Sequence, residues 1–269
     1  MESTLNKEKP EVRLRAFRAI DEPNTCELFI EGHTHVLTAI GVTKVTSSKH
    51  EWTKNPDAFV MVVESLDGTK VYGGARVHVA GGHEPLPIEQ ATGAMDPKIF
   101  DKVYEYAQNG TGELCGLWNS REIAGYGVGS IFLIRVAAAI AYQLGIRSLF
   151  ALCAPYTVKP VQKIGMELVS SIGNNGTFYY PKLDLVATTM VLEDVPVLSK
   201  SEEEDKKAIF KIREDLNSVR DEELRGKTIT IHYETSIPKL EQWSLQQAIA
   251  NTKVNQLKSK VDIKNLNFL

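Results

Sequence analysis

Residues 121 to 146, REIAGYGVGSIFLIRVAAAIAYQLGI, join three glycines at alternate positions, Gly125, Gly127 and Gly129, to a nearly all-apolar run. Glycines so spaced let backbone amides crowd together at the entry to a helix beginning near Ser130, where the helix dipole adds partial positive charge. Such an array holds an anion, and its breadth matches a diphosphate best. Two common phosphate motifs do not fit. A phosphate-binding loop ends in Gly-Lys-Ser/Thr, and no lysine follows Gly129. A dinucleotide fingerprint has a third glycine where this chain has Ser130, and an acidic residue for the ribose about 20 residues on, whereas no Asp or Glu occurs between Glu122 and Glu167. The alternative is a tight turn kept for packing. The helix that follows is apolar almost all round, so it is expected to be buried and to hold its N-terminus rigidly.

The elements around this turn follow from hydrophobic periodicity. VRLRAFRAI (Val12 to Ile20) alternates as a strand, and CELFIEGHTHVLTAIG follows as a helix capped by Asn24 or Thr25. DAFVMVVES and TKVYGGARVHVA flank Asp67-Gly68 and form a hairpin. GGHEPLPIEQATGAMDP reads as an irregular connection, PKIFDKVYEYAQNG as a helix and TGELCGLWNS as a strand. After the glycine turn and its helix, RSLFALCAP reads as a buried strand, VKPVQKIG as a short helix, and GTFYYP and KLDLVATTMVLED as strands. From Ser201 the texture becomes charged. SEEEDKKAIFKIREDLNSVRDEELRG reads as one amphipathic helix with Ser201 and Glu204 in capping-box spacing, followed by the strand KTITIHY and a second amphipathic segment around Leu240, Trp243, Ala248 and Ile249. Residues 11–199 are expected to form the main domain and 200–269 a C-terminal extension.

Composition excludes several classes. The 269 residues are 43% hydrophobic with a net charge of −3, which suits one globular domain and gives no field to draw nucleic acid. Cys26, Cys115 and Cys153 are few and widely spaced, which argues against disulfides and structural metal. The stretch MESTLNKEKPEVRLR lacks an apolar signal core, and the run Ile131 to Leu144 is interrupted by Arg135 and too short to span a bilayer, so a cytoplasmic location is expected.

The order of these elements, with GELCGLWNS, GYGVGS, SLFALCAP and KIGM in succession, resembles the Gcn5-related N-acetyltransferase (GNAT) superfamily over roughly residues 11 to 194. The resemblance implies an α/β (α+β) fold: a mixed, mostly antiparallel twisted sheet, a splayed parallel strand pair at Glu113–Asn119 and Ser148–Ala154, flanking helices, and here a C-terminal helical extension. GGARVHVAGGHEPLPIE followed by GELCGLWNS is similar to the branch of acyl-homoserine-lactone synthases and N-acyl amino acid synthases, with Arg76, Leu86-Pro87 and Glu113 in matching places. It implies transfer of an acyl group from a thioester, acetyl-CoA or a longer acyl-CoA or an acyl carrier protein, to an amine such as an amino acid. The cofactor would lie on Leu117, Trp118 and Asn119 of the strand and on Gly125, Tyr126, Gly127, Val128, Gly129 and Ser130 of the turn, with no metal. The chain departs from the pattern at Ala124, in the place of an arginine or glutamine, at Val161, in the place of a tyrosine acid, and at Gly116, in the place of an arginine.

Acyl transfer to an amine needs a base, a stabilised oxyanion and an acid for the departing thiolate. Strand alternation puts Glu113 on one face with Cys115 and Leu117, beside the expected thioester, which makes it the first candidate base. His78 shares a strand face with Arg76 and has an intrinsic pKa suited to proton transfer. Arg76 is placed to clamp a substrate carboxylate in two-pronged fashion, or to make a salt bridge. His83 and Glu84 are lesser candidates. The cysteines read as packing residues, so direct attack without an acyl-enzyme is expected. The competing reading is a GNAT-fold domain that binds an acyl thioester or a protein partner without turnover.

Overall fold

The computed structural model describes residues 9–42, 50–82 and 84–252. In chain order these form β1 (Glu11–Arg18), α1 (Pro23–Ala39), β2 (Ala58–Glu64), β3 (Val71–Val79), α2 (Pro87–Thr92), α3 (Lys98–Ala107), β4 (Thr111–Asn119), α4 (Ile131–Gln143), β5 (Ser148–Cys153), α5 (Pro155–Lys163), β6 (Glu167–Leu168), β7 (Thr177–Tyr179), β8 (Val186–Leu192), α6 (Glu203–Glu214), β9 (Asn217–Leu224) and β10 (Lys227–Glu234). The strands make one ten-stranded sheet in the order β6-β8-β5-β4-β3-β2-β1-β10-β9, with β7 also on β8. All pairs are antiparallel except β4 with β5 and β1 with β10.

The hairpin β2–β3 forms where expected. Gly68 takes φ +72, and the Asp67 carboxylate accepts hydrogen bonds from the Ser65 hydroxyl and the Thr69 amide, so turn chemistry sets the register of both strands. Residues 131 to 141 of α4 are all buried, as an apolar surface on every side requires. Arg135, the one charge in that run, meets Asp205 of α6 at 2.7 Å, and both are buried, which ties α6 to α4. Removing either partner would strand a buried charge, at a cost of about 3–5 kcal/mol.

Three expectations change. α1 starts at Pro23 with Glu22 in the capping position, so Asn24 and Thr25 lie inside the helix and neither caps it. The connection after β3 contains α2, because Glu89 folds its carboxylate back onto the Leu86 amide at 2.7 Å and Pro87 fits the first helical turn. The single helix expected over 201–226 stops at Glu214, and neither Ser201 nor any other side chain caps it. The rest is β9, paired along its length with β10. Arg225 and Gly226 both have positive φ and make the two-residue turn between them, and the buried Ile229, Ile231 and Tyr233 of β10 hold the hairpin on the core. The charges of the expected amphipathic helix lie instead on an edge strand whose residues alternate between exposed and half-buried. β10 joins β1 in parallel, so this C-terminal segment extends the central sheet.

Candidate functional site

β4 and β5 pair only from Thr111↔Ser148 to Leu114↔Ala151 and then part while both continue. A cavity of about 580 Å³ opens between them, within the range of small-molecule sites. Its walls are β4 from Glu113 to Leu117, the segment Ala151–Thr157, and residues of α1 and of the approach to β8. The expected splayed parallel pair is therefore present.

Local irregularity in β4 shapes one wall. The β3–β4 register slips between Gly74 and Arg76, and Gly116 has φ +61, a bulge that glycine adopts without strain. A Cβ on Gly116 would sit 3.0 Å from Nε and Nη2 of Arg76, so the guanidinium fills the space a side chain at 116 would need. Arg76 itself is fully buried, its Cζ 4.1 Å from the centroid of the Trp52 ring and 5.6 Å from that of Phe29, and it donates to the Cys115 thiol. Gly116 and Cys115 both line the cavity, so that cation lies behind its wall. The bulge interrupts strict alternation: Glu113 and Cys115 share a face with their cross-strand partners His78 and Arg76, while Leu117 lies beyond the slip.

Glu113 is 2% exposed and accepts a hydrogen bond from the Ile88 amide at 2.6 Å. Burial is the main reason its pKa is pushed up to about 8; the nearby Glu89 adds to this, and the Ile88 amide and Arg76 oppose it. Glu89 is itself raised to about 7 by burial. His78 is the cross-strand partner of Glu113 but is buried and absent from the cavity wall; burial and Arg76 hold its pKa well below the usual value, so it is a neutral imidazole. The three cysteines are buried and raised to about 12, chiefly by burial, so they stay thiols at neutral pH.

The glycine turn lies at the far end of β4. Gly125 and Gly127 have φ of +86 and +82, and Gly129 allows α4 to start against the Asn119 side chain. The amides of Ser130 and Phe132 both bond the Gly127 carbonyl, whereas those of Gly125, Gly127, Val128 and Gly129 find no acceptor among the described residues. Val128 is buried beneath the turn, Tyr126 is half-buried, and Ser130 precedes α4 without capping it through its side chain. Trp118 is buried edge-on to Phe29 with Gly32 packed against it, so of the β4 residues expected to meet a cofactor, Leu117 lines the cavity and Trp118 does not.

Several residues on these surfaces carried no functional sign in the sequence. Lys227, at the start of β10, places Nζ 5.0 Å from the centroid of the Tyr126 ring and 2.9 Å from where a Cβ on Gly125 would be. Leu224 of the same hairpin packs on Gly127, 2.6 Å from its virtual Cβ. A cation from the C-terminal hairpin thus stands beside a turn that has Ala124 and no arginine at its head. Val161 is buried in the cavity wall, while Tyr156, at the start of α5, presents an exposed phenol there. His33 of α1 lines the same cavity. Glu84 is exposed, and His83 lies outside the described residues.

No protein-family model matches the sequence, and no curated relative matches it. Solved structures do. FeeM, an N-acyl amino acid synthase from uncultured soil microbes, superposes with a TM-score of 0.54 at 14% identity, covering 71% of this chain and 96% of its own. BjaI, a CoA-dependent acyl-homoserine lactone synthase solved with SAM and isopentyl-CoA, gives 0.51 at 10% identity over 90% of this chain and 99% of its own. The acyl-homoserine lactone synthase LasI gives 0.52 at 11% identity over 74% and 95%. The chain therefore has a GNAT-like fold, in the form that it shares with an N-acyl amino acid synthase and acyl-homoserine lactone synthases.

Proposed function

We propose that this chain is an N-acyltransferase that moves an acyl group from a thioester donor, acyl-CoA or acyl carrier protein, to an amine, with an amino acid as the favoured acceptor. One observation carries this reading: β4 has a titratable carboxyl group on a cavity wall at its paired end and a turn of four unsatisfied amides beyond its other end. The amides of Gly125, Gly127, Val128 and Gly129 suit a diphosphate, and Lys227 supplies the countercharge that Ala124 lacks. A donor held there and threaded between β4 and β5 supplies the activated acyl group.

This chain's own residues do the rest. Glu113, with a pKa near 8, accepts in its ionised form the proton that an acceptor ammonium must lose before its nitrogen can attack, and its proton affinity is close to that of an α-amino group. Attack forms the C–N bond and breaks the C–S bond; the second proton lost by the nitrogen passes, by way of Glu113 or the Tyr156 phenol, to the departing sulfur, and the ammonium's first proton is released to solvent. Arg76, packed behind Gly116, sets a positive potential that favours a carboxylate-bearing acceptor. His78 backs Glu113 as a neutral group. The cavity wall is largely apolar and includes neither Trp118 nor Leu133, which supports an acyl group longer than acetyl.

Thermal shift with coenzyme A, followed by thiol release from acetyl-, octanoyl- and tetradecanoyl-CoA over a panel of amines and amino acids, tests the proposal. Stabilisation by coenzyme A and amine-dependent thiol release are expected. No shift with coenzyme A removes the donor assignment, and binding without thiol release transfers the case to the non-catalytic reading, which the departures at Ala124 and Val161 favour.

A further inference from the structure

His33 is 4% exposed, lines the cavity, and makes no hydrogen bond or ion pair among the described residues. Among the described residues its one ring contact is an edge-to-face approach to Phe29, at 5.9 Å between centroids. A buried imidazole without a polar partner is costly unless something else satisfies it, and here the ring faces the cavity. Leu37 and Ile40 follow His33 on the same face of α1, and with Val42 they make the lining beside it apolar. Gly116, with the Arg76 guanidinium packed against it, faces the same space.

The sign of the local potential selects the ligand group. Burial first, and then the positive charge of Arg76, hold His33 down to about 4, so the ring is neutral with one N–H donor and sits in the field of a cation. An ammonium placed beside it would be repelled by Arg76, whereas a carboxylate would gain from both the N–H and the field. We propose that His33 reads the acceptor: it donates its N–H to the carboxylate of an apolar amino acid whose side chain rests on Leu37, Ile40 and Val42, and whose amino group is thereby directed to Glu113. This rests on the acyltransferase reading of the same cavity and names the acceptor class that the cavity takes.

The test uses the full chain saturated with coenzyme A, with isotope-labelled histidine, and titrates L-leucine against L-leucinamide. The His33 ring signals, assigned by their loss in His33→Gln, are expected to move with leucine and to stay in place with leucinamide. His33→Phe is expected to weaken leucine binding about tenfold, the size of one hydrogen bond to a charged group, and to leave leucinamide unchanged. His33→Gln retains a side-chain N–H and recovers part of that loss, and circular dichroism confirms that both variants fold. Equal affinity for leucine and leucinamide, ring signals that do not move at saturation, or a loss in His33→Phe that is equal for both ligands would each overturn the assignment. Thiol release from octanoyl-CoA separates the two levels: leucine bound through His33 without thiol release sinks acyl transfer alone. Leucine-dependent release with a KM unaltered in His33→Phe sinks the His33 assignment alone.

Discussion

The glycine turn and the cavity between β4 and β5 are built in opposite ways. The turn is a backbone device: its chemistry comes from amides freed by positive φ at Gly125 and Gly127, and its neighbours, Lys227 and Tyr126, lie at or near the surface. The cavity is a side-chain device: Glu113, His33 and the Arg76 charge behind Gly116 have their properties because they are buried together. A backbone site tolerates substitution nearby but not a change of conformation, whereas a buried site depends on the identity of each member and on its electrostatic neighbours.

The largest expected effect breaks the cavity. Glu113→Gln keeps the shape and an acceptor for the Ile88 amide but removes the base, and kcat should fall by about 10²–10⁴ in a thiol-release assay with coenzyme A affinity unchanged. A loss confined to KM would move the base elsewhere. The next breaks the turn. Gly127→Asp puts a side chain at φ +82, against Leu224 and Phe132, and adds a negative charge to the amide cradle; coenzyme A binding measured by calorimetry should weaken by about 100-fold or more.

A third prediction separates the two regions by pH. Because the folded Glu113 has a pKa raised above its unfolded value, the native state binds the extra proton between about pH 4.5 and 8, and stability falls as pH rises through that window. The melting temperature of the wild type should therefore drop from pH 6 to pH 9 more steeply than that of Glu113→Gln, while the rate of acyl transfer rises through pH 8 as the base ionises. Parallel melting curves for the two proteins would show that Glu113 titrates like an exposed carboxylate. The smallest effect sharpens the comparison at the turn. Lys227→Ala should raise the donor KM about three- to fivefold, more at low salt than at high, with kcat unaltered, since an exposed charge contributes about 1 kcal/mol or less.

The two regions also differ in how far they could be read beforehand. The turn, its buried helix and the β2–β3 hairpin followed from glycine spacing and periodicity, because local conformational preference decides such elements, whereas the parallel pair was implied by the resemblance alone. The cavity was legible at Glu113 and Arg76, which alternation and resemblance marked. His33 gave no signal: a lone histidine on an amphipathic helix looks the same whether it faces solvent, core or cavity. Residues 201 to 226 misled, since charged residues with scattered apolar ones suit a helix or an edge strand, and the Arg225-Gly226 turn with pairing to β10 decided between them. Lys227 reached the glycine turn only because β10 adds to β1 and brings its first residue about a hundred positions back along the chain.

What the sequence by itself determined is the backbone chemistry: where glycines free amides, where an apolar helix is buried, and which strands alternate. These depend on residues close together in the chain. Only the tertiary structure decided the proton affinities and the company of the side chains: Glu113 raised by burial beside Glu89, His33 neutral within reach of Arg76, and Gly116 excluded from carrying a side chain by the guanidinium beneath it. Desolvation and Coulomb forces act through space, between groups brought together from four separate segments, and no spacing along the chain records them.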